Sequence, residues 1–222
     1  MNNTRIEYHK RLHEVEVYFE ALKLLDNGSC SIKCTDILGV ETTKEIDSEL
    51  STILKANGFL LLYNLIESTI RKSIDAVINS MHTSSVTFRN LSDELRKLWI
   101  RQEGKNPNEE KIMSIAKIVL ENGLLTFKKD FINISGNIDA QEIRKILKQV
   151  GGNEISDGRC LKAIKDKRNH LAHGEFSFSE IGKDYTVNDL IAYKNDTKEY
   201  LSKVLEEIQS FIDNQKYLYC NV

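Results

Sequence analysis

The chain has few of the residues that punctuate a fold. It holds one proline and eleven glycines in 222 residues, too few turn formers for the many reversals of an all-β architecture, which favours long helices. It lacks an excess of charge of either sign. Thirty-one basic and 33 acidic residues leave a formal net charge of -2, so any nucleic-acid surface must be a local patch. It also lacks a long apolar run. The most apolar stretch, ANGFLLLYNLIE at 56–67, is too short to cross a bilayer and is followed by polar residues. The opening MNNTRIEYHKRLHEVEVYF has no apolar segment of the kind a signal peptide needs. These absences predict a cytoplasmic protein without a membrane span. Four cysteines are few, and in that compartment Cys30, Cys34, Cys160 and Cys220 are expected as reduced thiols. Cys30 and Cys34 have the spacing of two metal ligands, but no second Cys/His pair suits a structural zinc, which takes four. The chain also has no Gly-rich phosphate loop, no G-x-S-x-G elbow and no carboxylate cluster for two metals. No metal and no cofactor are expected.

What is present is helical periodicity around enough apolar residues, 41% of the chain, for one sizeable core or two small ones. From Ile6 to Leu25, Leu12, Val15, Phe19 and Leu22 recur on one face of a helix. DNGSCSIKCTD breaks it with turn formers. A second helix is predicted from Thr42 or Thr43 to about Ser80. Ile46, Leu50, Ile53 and Leu54 form its first stripe, and FLLLYNLI is apolar nearly all round, as in a helix buried on every side. Its length, at about 1.5 Å per residue, would exceed roughly 50 Å. A third helix is predicted in TSSVTFRNLSDELRKLW, with Phe88, Leu91, Leu95, Leu98 and Trp99 inward. RQEGKNPNEE, which holds the only proline, reads as an exposed loop. Ile112–Leu120 is again helical. FINISGNI reads as a short extended piece, after which Asp139 caps AQEIRKILKQV and Gly151-Gly152 stop it. Asp157 to His173 is helical with Gly174 at its C′ position. EFSFSEIGKDYT is read as non-helical, and Asn188–Tyr217 closes the chain as an amphipathic helix. No internal repeat, low-complexity tract or linker separates these pieces. The reading is an all-α helical bundle.

One segment, KDKRNHLAHGE at 165–175, departs from the balanced charge of the rest. Between positions 159 and 168, Arg159, Lys162, Lys165, Lys167 and Arg168 face a single acid, Asp166. A solvated helix end would account for this, with Asp166 pairing His170 at i,i+4 and the cations favoured by the negative end of the helix dipole. A phosphate-handling site would account for it equally. At about 100° per residue, Asn169 and His173 share a face one turn apart, Arg168 adjoins Asn169, and Gly174 lets the backbone leave at once. Imidazole exchanges protons near neutrality. Guanidinium grips phosphate bidentately and stabilises the charge of a phosphorane, and an amide can orient either group.

RNHLAH therefore resembles the R-[N/D/H]-x(3-5)-H motif of the HEPN superfamily of helical ribonucleases. LKANGFLLLYNLIESTIRKSI, SGNIDAQEIRKI, IKDKRNHLAHGEFSFSEIGKDYTVNDL and YLSKVLEEIQSFI look like one prokaryotic branch of it, so the resemblance runs from the second helix to the end. It implies a HEPN-type bundle, with residues 1–40 as an N-terminal helical extension and residues 42–217 as the core, carrying a helical insertion around 86–151. It implies that Arg168, Asn169 and His173 are catalytic, and that Arg159, Lys162, Lys165, Lys167 and His170 bind RNA. Two copies of the motif would meet across a homodimer cleft, cutting RNA by 2′-OH attack without a metal. The role implied is a toxin or antiviral-defence effector, with an antitoxin or defence-system protein as partner. Some HEPN toxins carry a tyrosine two residues after the motif histidine, modified by a nucleotidyltransferase antitoxin. This chain has Glu175 there, which puts that route in doubt. The alternatives are a non-catalytic HEPN module that binds RNA or a protein, and an antitoxin-like regulatory subunit.

The remaining polar residues carry plainer expectations. Asn64, Glu67 and Arg71 form a stripe in the second helix, where Glu67 either orients Arg168 or pairs with Arg71, the latter favoured. HKRLH, with His9 and His13, lacks the glutamate of a zincin helix and reads as surface. His82 reads as a helix-end residue. No interleaved aromatic platform for bases is evident, so RNA affinity should come from backbone phosphates.

Overall fold

A computed structural model describes residues 1–26, 30–128, 131–132, 134 and 136–219. Its elements run α1 (Asn2–Asp26), β1 (Ser31–Thr35), β2 (Glu41–Glu45), α2 (Ser48–Thr83), α3 (Asp93–Glu103), α4 (Glu109–Leu120), α5 (Ala140–Val150), α6 (Arg159–Ala172), α7 (Phe178–Gly182) and α8 (Val187–Asp213). The fold is all-α apart from one hairpin, and none of the described helices is long and apolar enough to cross a membrane. Cys220 lies outside the described residues, as do positions 27–29 of the first break and positions 133 and 135 of FINISGNI. The described part of that last segment forms no strand.

The hairpin corrects the start expected for the second helix. Thr42 pairs with Cys34 and Thr43 with Lys33 in an antiparallel register, so both threonines are strand residues. The turn is built by Asp36, whose Oδ1 accepts from the N–H groups of Leu38 and Val40 at 2.8 and 2.9 Å, with Gly39 at φ 80°. Helix α2 starts only at Ser48, where Asp47 accepts from the Leu50 N–H at 2.8 Å. Other boundaries move too. Helix α3 begins at Asp93, after Phe88 and Leu91, and continues to Glu103 into the expected loop. Asp157 and Gly158, both at positive φ, precede α6. EFSFSEIGKDYT contains α7, because Ser177 and Glu180 form a reciprocal capping box.

The chain divides into two compact units. One comprises Met1–Ile6, Glu67–Asp157 and Tyr200–Val222, the other Glu7–Ile66 and Gly158–Glu199. In the first, α3 packs on α5 and buries Leu95, Leu98, Trp99, Ile143, Ile146, Leu147 and Val150. Asp139 caps α5 through the Glu142 N–H at 3.0 Å, and Gly151 ends it at φ 83°. Helix α4 buries none of its residues.

The second unit carries the site. The predicted stripe of α1 is buried at Leu12, Val15, Phe19 and Leu22, and α2 contributes Ala56, Phe59, Leu62 and Tyr63. Gly58 lets the Phe19 ring approach, 3.4 Å from where a Cβ would stand. Gly182 seats α7 on α2, where any Cβ would collide with the Thr52 carbonyl. Tyr18 donates to the Leu54 carbonyl, and Lys198 meets Glu16 at 2.9 Å. Against this frame α6 buries Leu161, Ile164 and Leu171.

Candidate functional site

With Leu161, Ile164 and Leu171 turned inward, the spacing of about 100° per residue sends Arg159, Lys162, Asp166, Asn169 and His173 to the outward arc of α6. Arg159, Lys162 and His173 are exposed, while Lys165 to His170 are half-buried. The helix ends where expected. The His173 N–H donates to the Asn169 carbonyl at 2.9 Å, and Gly174 at φ 68° turns the chain away. Nothing stands within 4 Å of the Cβ position of Gly174. Among the described residues no hydrogen bond or ion pair engages the His173 imidazole, so the ring faces solvent at the mouth of the turn.

Arg168 is held more closely. Its Nη1 donates to Asn169 Oδ1 at 3.0 Å, and its guanidinium carbon stands 4.6 Å from the centroid of Tyr63, within cation–π reach. Tyr63 is fully buried in α2. Arg168 thus stands over an aromatic ring, with Asn169 accepting from one N–H of a fork that carries further donors. The amide of the motif orients the guanidinium. Tyr63 was not a sequence-level candidate, because FLLLYNLI gives no sign of which residue will lie under a helix a hundred positions later.

The expected pairing of Asp166 with His170 does not form. Asp166 Oδ1 lies 3.7 Å from Lys165 Nζ. His170 Nδ1 meets Glu175 Oε2 at 2.5 Å, and its ring packs edge-on against Phe176, with centroids 5.1 Å apart at 86°. A carboxylate beyond the Gly174 turn wins over one a helical turn back because the chain reversal brings it onto the ring.

Lys167 stands on the flank, its Nζ 5.4 Å from the Tyr185 ring centroid, and Lys55 donates to the Tyr185 carbonyl at 2.8 Å. Tyr185, Tyr193 and Phe59 pack edge to face, with centroids 4.9 to 6.0 Å apart. Burial, and then Tyr185 and Cys160, raise the Tyr193 phenol above its ordinary range. Residues far apart in sequence therefore assemble an aromatic cluster beside α6.

Arg71 grips Glu67 through Nε at 2.9 Å and Nη2 at 2.8 Å, the favoured local pair, and Asn64 is exposed. His9 and His13 are exposed on α1. His82 Nε2, in the last turn of α2, accepts from the Phe127 N–H at 3.1 Å. Cys30, Cys34 and Cys160 form no disulfide among the described residues, and among the described residues no three His, Cys, Asp or Glu side chains are grouped to hold a metal ion.

The family model described as HEPN_MAE_28990-like HEPN covers residues 7–217. No curated protein and no solved structure matches the chain. The family match begins in α1, runs through the whole of α6 and the Gly174 turn, and ends at Tyr217, so the chain belongs to the HEPN_MAE_28990-like HEPN family.

Proposed function

We propose that this chain is a metal-independent endoribonuclease of HEPN type. The observation that supports the reading is the presence, toward one helix end, of a guanidinium on Arg168 hydrogen-bonded to Asn169 and of an exposed His173. In the reaction the 2′-OH of a ribose gives up its proton, and its oxygen attacks the adjacent phosphorus. The P–O5′ bond then breaks, and the departing oxygen takes a proton. The products are a 2′,3′-cyclic phosphate and a 5′-OH. His173 serves one of the two proton transfers. Arg168, aligned by Asn169, meets the charge that builds on the phosphorane oxygens. Arg159, Lys162, Lys165 and Lys167 hold flanking phosphates.

A homodimer in which each copy supplies one such motif provides a group for each proton transfer. By family resemblance the biological role is that of a toxin or antiviral-defence effector, restrained by a partner protein.

The test is cleavage of total RNA by the purified protein in EDTA, with the ends of the fragments identified. His173→Ala should lose on the order of 10²–10⁴ in rate with the fold intact, and Arg168→Ala a comparable amount. Cleavage by His173→Ala equal to that by the parent would end the proposal. A protein that binds RNA without cutting it, with binding indifferent to His173→Ala, would mark a non-catalytic module instead.

A further inference from the structure

His173 lies inside a small closed loop, and the residues that close it, His170, Glu175 and Phe176, lie outside the motif triad, although His170 is among the residues expected to bind RNA. Helix α6 ends at Ala172, and Gly174 at φ 68° reverses the backbone. The returning strand is fastened to residue 170 at three points. The Glu175 N–H donates to the His170 carbonyl at 3.0 Å. The Glu175 carboxylate meets His170 Nδ1 at 2.5 Å, and Phe176 sets its ring at 86° to the imidazole of His170. The loop from 170 to 175 is thereby tied at both ends, with the His173 side chain as its outward-facing member.

We propose that His170 and Glu175 are a positioning pair that fixes the turn presenting His173, and that His170 acts through this pair and not by gripping phosphate. Three features carry the proposal. The ring nitrogen nearest the helix end is occupied by a carboxylate, which competes directly with any phosphate for that atom. A glycine at positive φ leaves the turn conformationally soft, so side-chain ties must define where residue 173 points. The imidazole at 173 has no hydrogen bond among the described residues to hold it, so its aim depends on the backbone beneath it. An acid–base group displaced by about 1 Å can lose on the order of 10²-fold in rate, which makes such a tie consequential for chemistry while adding little to global stability.

The proposal rests on the nuclease reading for its kinetic arm and stands apart from it in its structural arm. In the kinetic arm, RNA cleavage is compared for the parent, His170→Ala, Glu175→Ala and the double variant. A positioning pair predicts that each single variant lowers kcat about 10–100-fold with KM little changed. It also predicts that the double variant is no worse than either single one, and that Glu175→Gln, which keeps a hydrogen-bonding oxygen on the ring, recovers much of the loss. A phosphate contact by His170 predicts the opposite pattern. KM would rise in His170→Ala alone, and Glu175→Ala would bind RNA more tightly because a negative charge has gone. That pattern overturns the proposal.

In the structural arm, amide hydrogen exchange at His173 to Phe176 is followed in the same proteins without RNA. Faster exchange at these amides in Glu175→Ala, reversed in Glu175→Gln, supports the tie even if no variant and no parent cleaves RNA. Exchange indifferent to Glu175→Ala refutes it whatever the activity. Loss of activity in His173→Ala with full activity in Glu175→Ala leaves the nuclease reading standing and removes this one.

Discussion

Helices α5 and α6 make an instructive pair, since both are short and both are followed by a glycine in the left-handed region, Gly151 at φ 83° and Gly174 at φ 68°. Helix α5 puts Ala140, Ile143, Ile146, Leu147 and Val150 into the core from only eleven residues. Helix α6 is fourteen residues long and buries three. The segments that leave them differ too. Beyond α5, Asn153 is held by Glu207 of α8 through its N–H at 2.9 Å and its Nδ2 at 3.1 Å. Beyond α6, the tie runs back to the same helix, from Glu175 to His170. Helix α5 is anchored by apolar area and a distant carboxylate. Helix α6 keeps its outward arc in water and closes its end locally, which suits the proposed role of meeting a polyanion.

The comparison is broken most severely by Leu147→Ala. Leu147 is 1% exposed, and its truncation should cost about 2–5 kcal/mol, read from a denaturant melt. An effect comparable to that of a surface substitution would mean that α5 is not the anchor described.

A smaller effect is expected from Glu207→Gln. Burial pushes the Glu207 carboxyl up, but the Asn153 N–H and Nδ2 donors and the Lys216 ammonium bring it below its ordinary range. A carboxyl depressed by folding stabilises the native state above its unfolded pKa, and that stability fades as pH falls through the lower folded value. The variant should therefore be less stable than the parent by about 1–2 kcal/mol near neutral pH, with the gap closing in acid. A gap independent of pH would show that shape, not charge, holds Asn153.

The smallest change in stability is expected from Lys162→Ala, within about 0.5 kcal/mol, because Lys162 is exposed on α6. Its effect should fall on RNA affinity, with the salt dependence shallower by about one unit of slope. Destabilisation on the scale of Leu147→Ala would erase the contrast between the two helices.

Much of the fold was legible because the helices obey simple spacing. The stripe Leu12, Val15, Phe19, Leu22 is buried as its period requires, and Asp139 and Gly151 bracket α5 as cap and stop. The hairpin escaped because its strands are short and wholly exposed, and β2, with no apolar residue, carries no alternation to mark it. Helix α7 escaped because five residues give no period, although its Ser177–Glu180 capping box was present in the sequence. In the site, the adjacency of Arg168 and Asn169 and the Gly174 turn could be read directly. The partner of His170 was misassigned because i,i+4 reasoning stops where the helix does.

The sequence by itself determined an all-α chain, a cation-rich sixth helix and a histidine at its end before a glycine, because periodicity, charge spacing and a C′ glycine act within a few residues. Only the tertiary structure decided that Arg168 rests on Tyr63, that Lys55 and Lys167 converge on Tyr185, and that Glu175 returns to His170. The first two depend on packing between segments distant in the chain, and the third on the direction the backbone takes after its last helical bond, none of which a local pattern encodes.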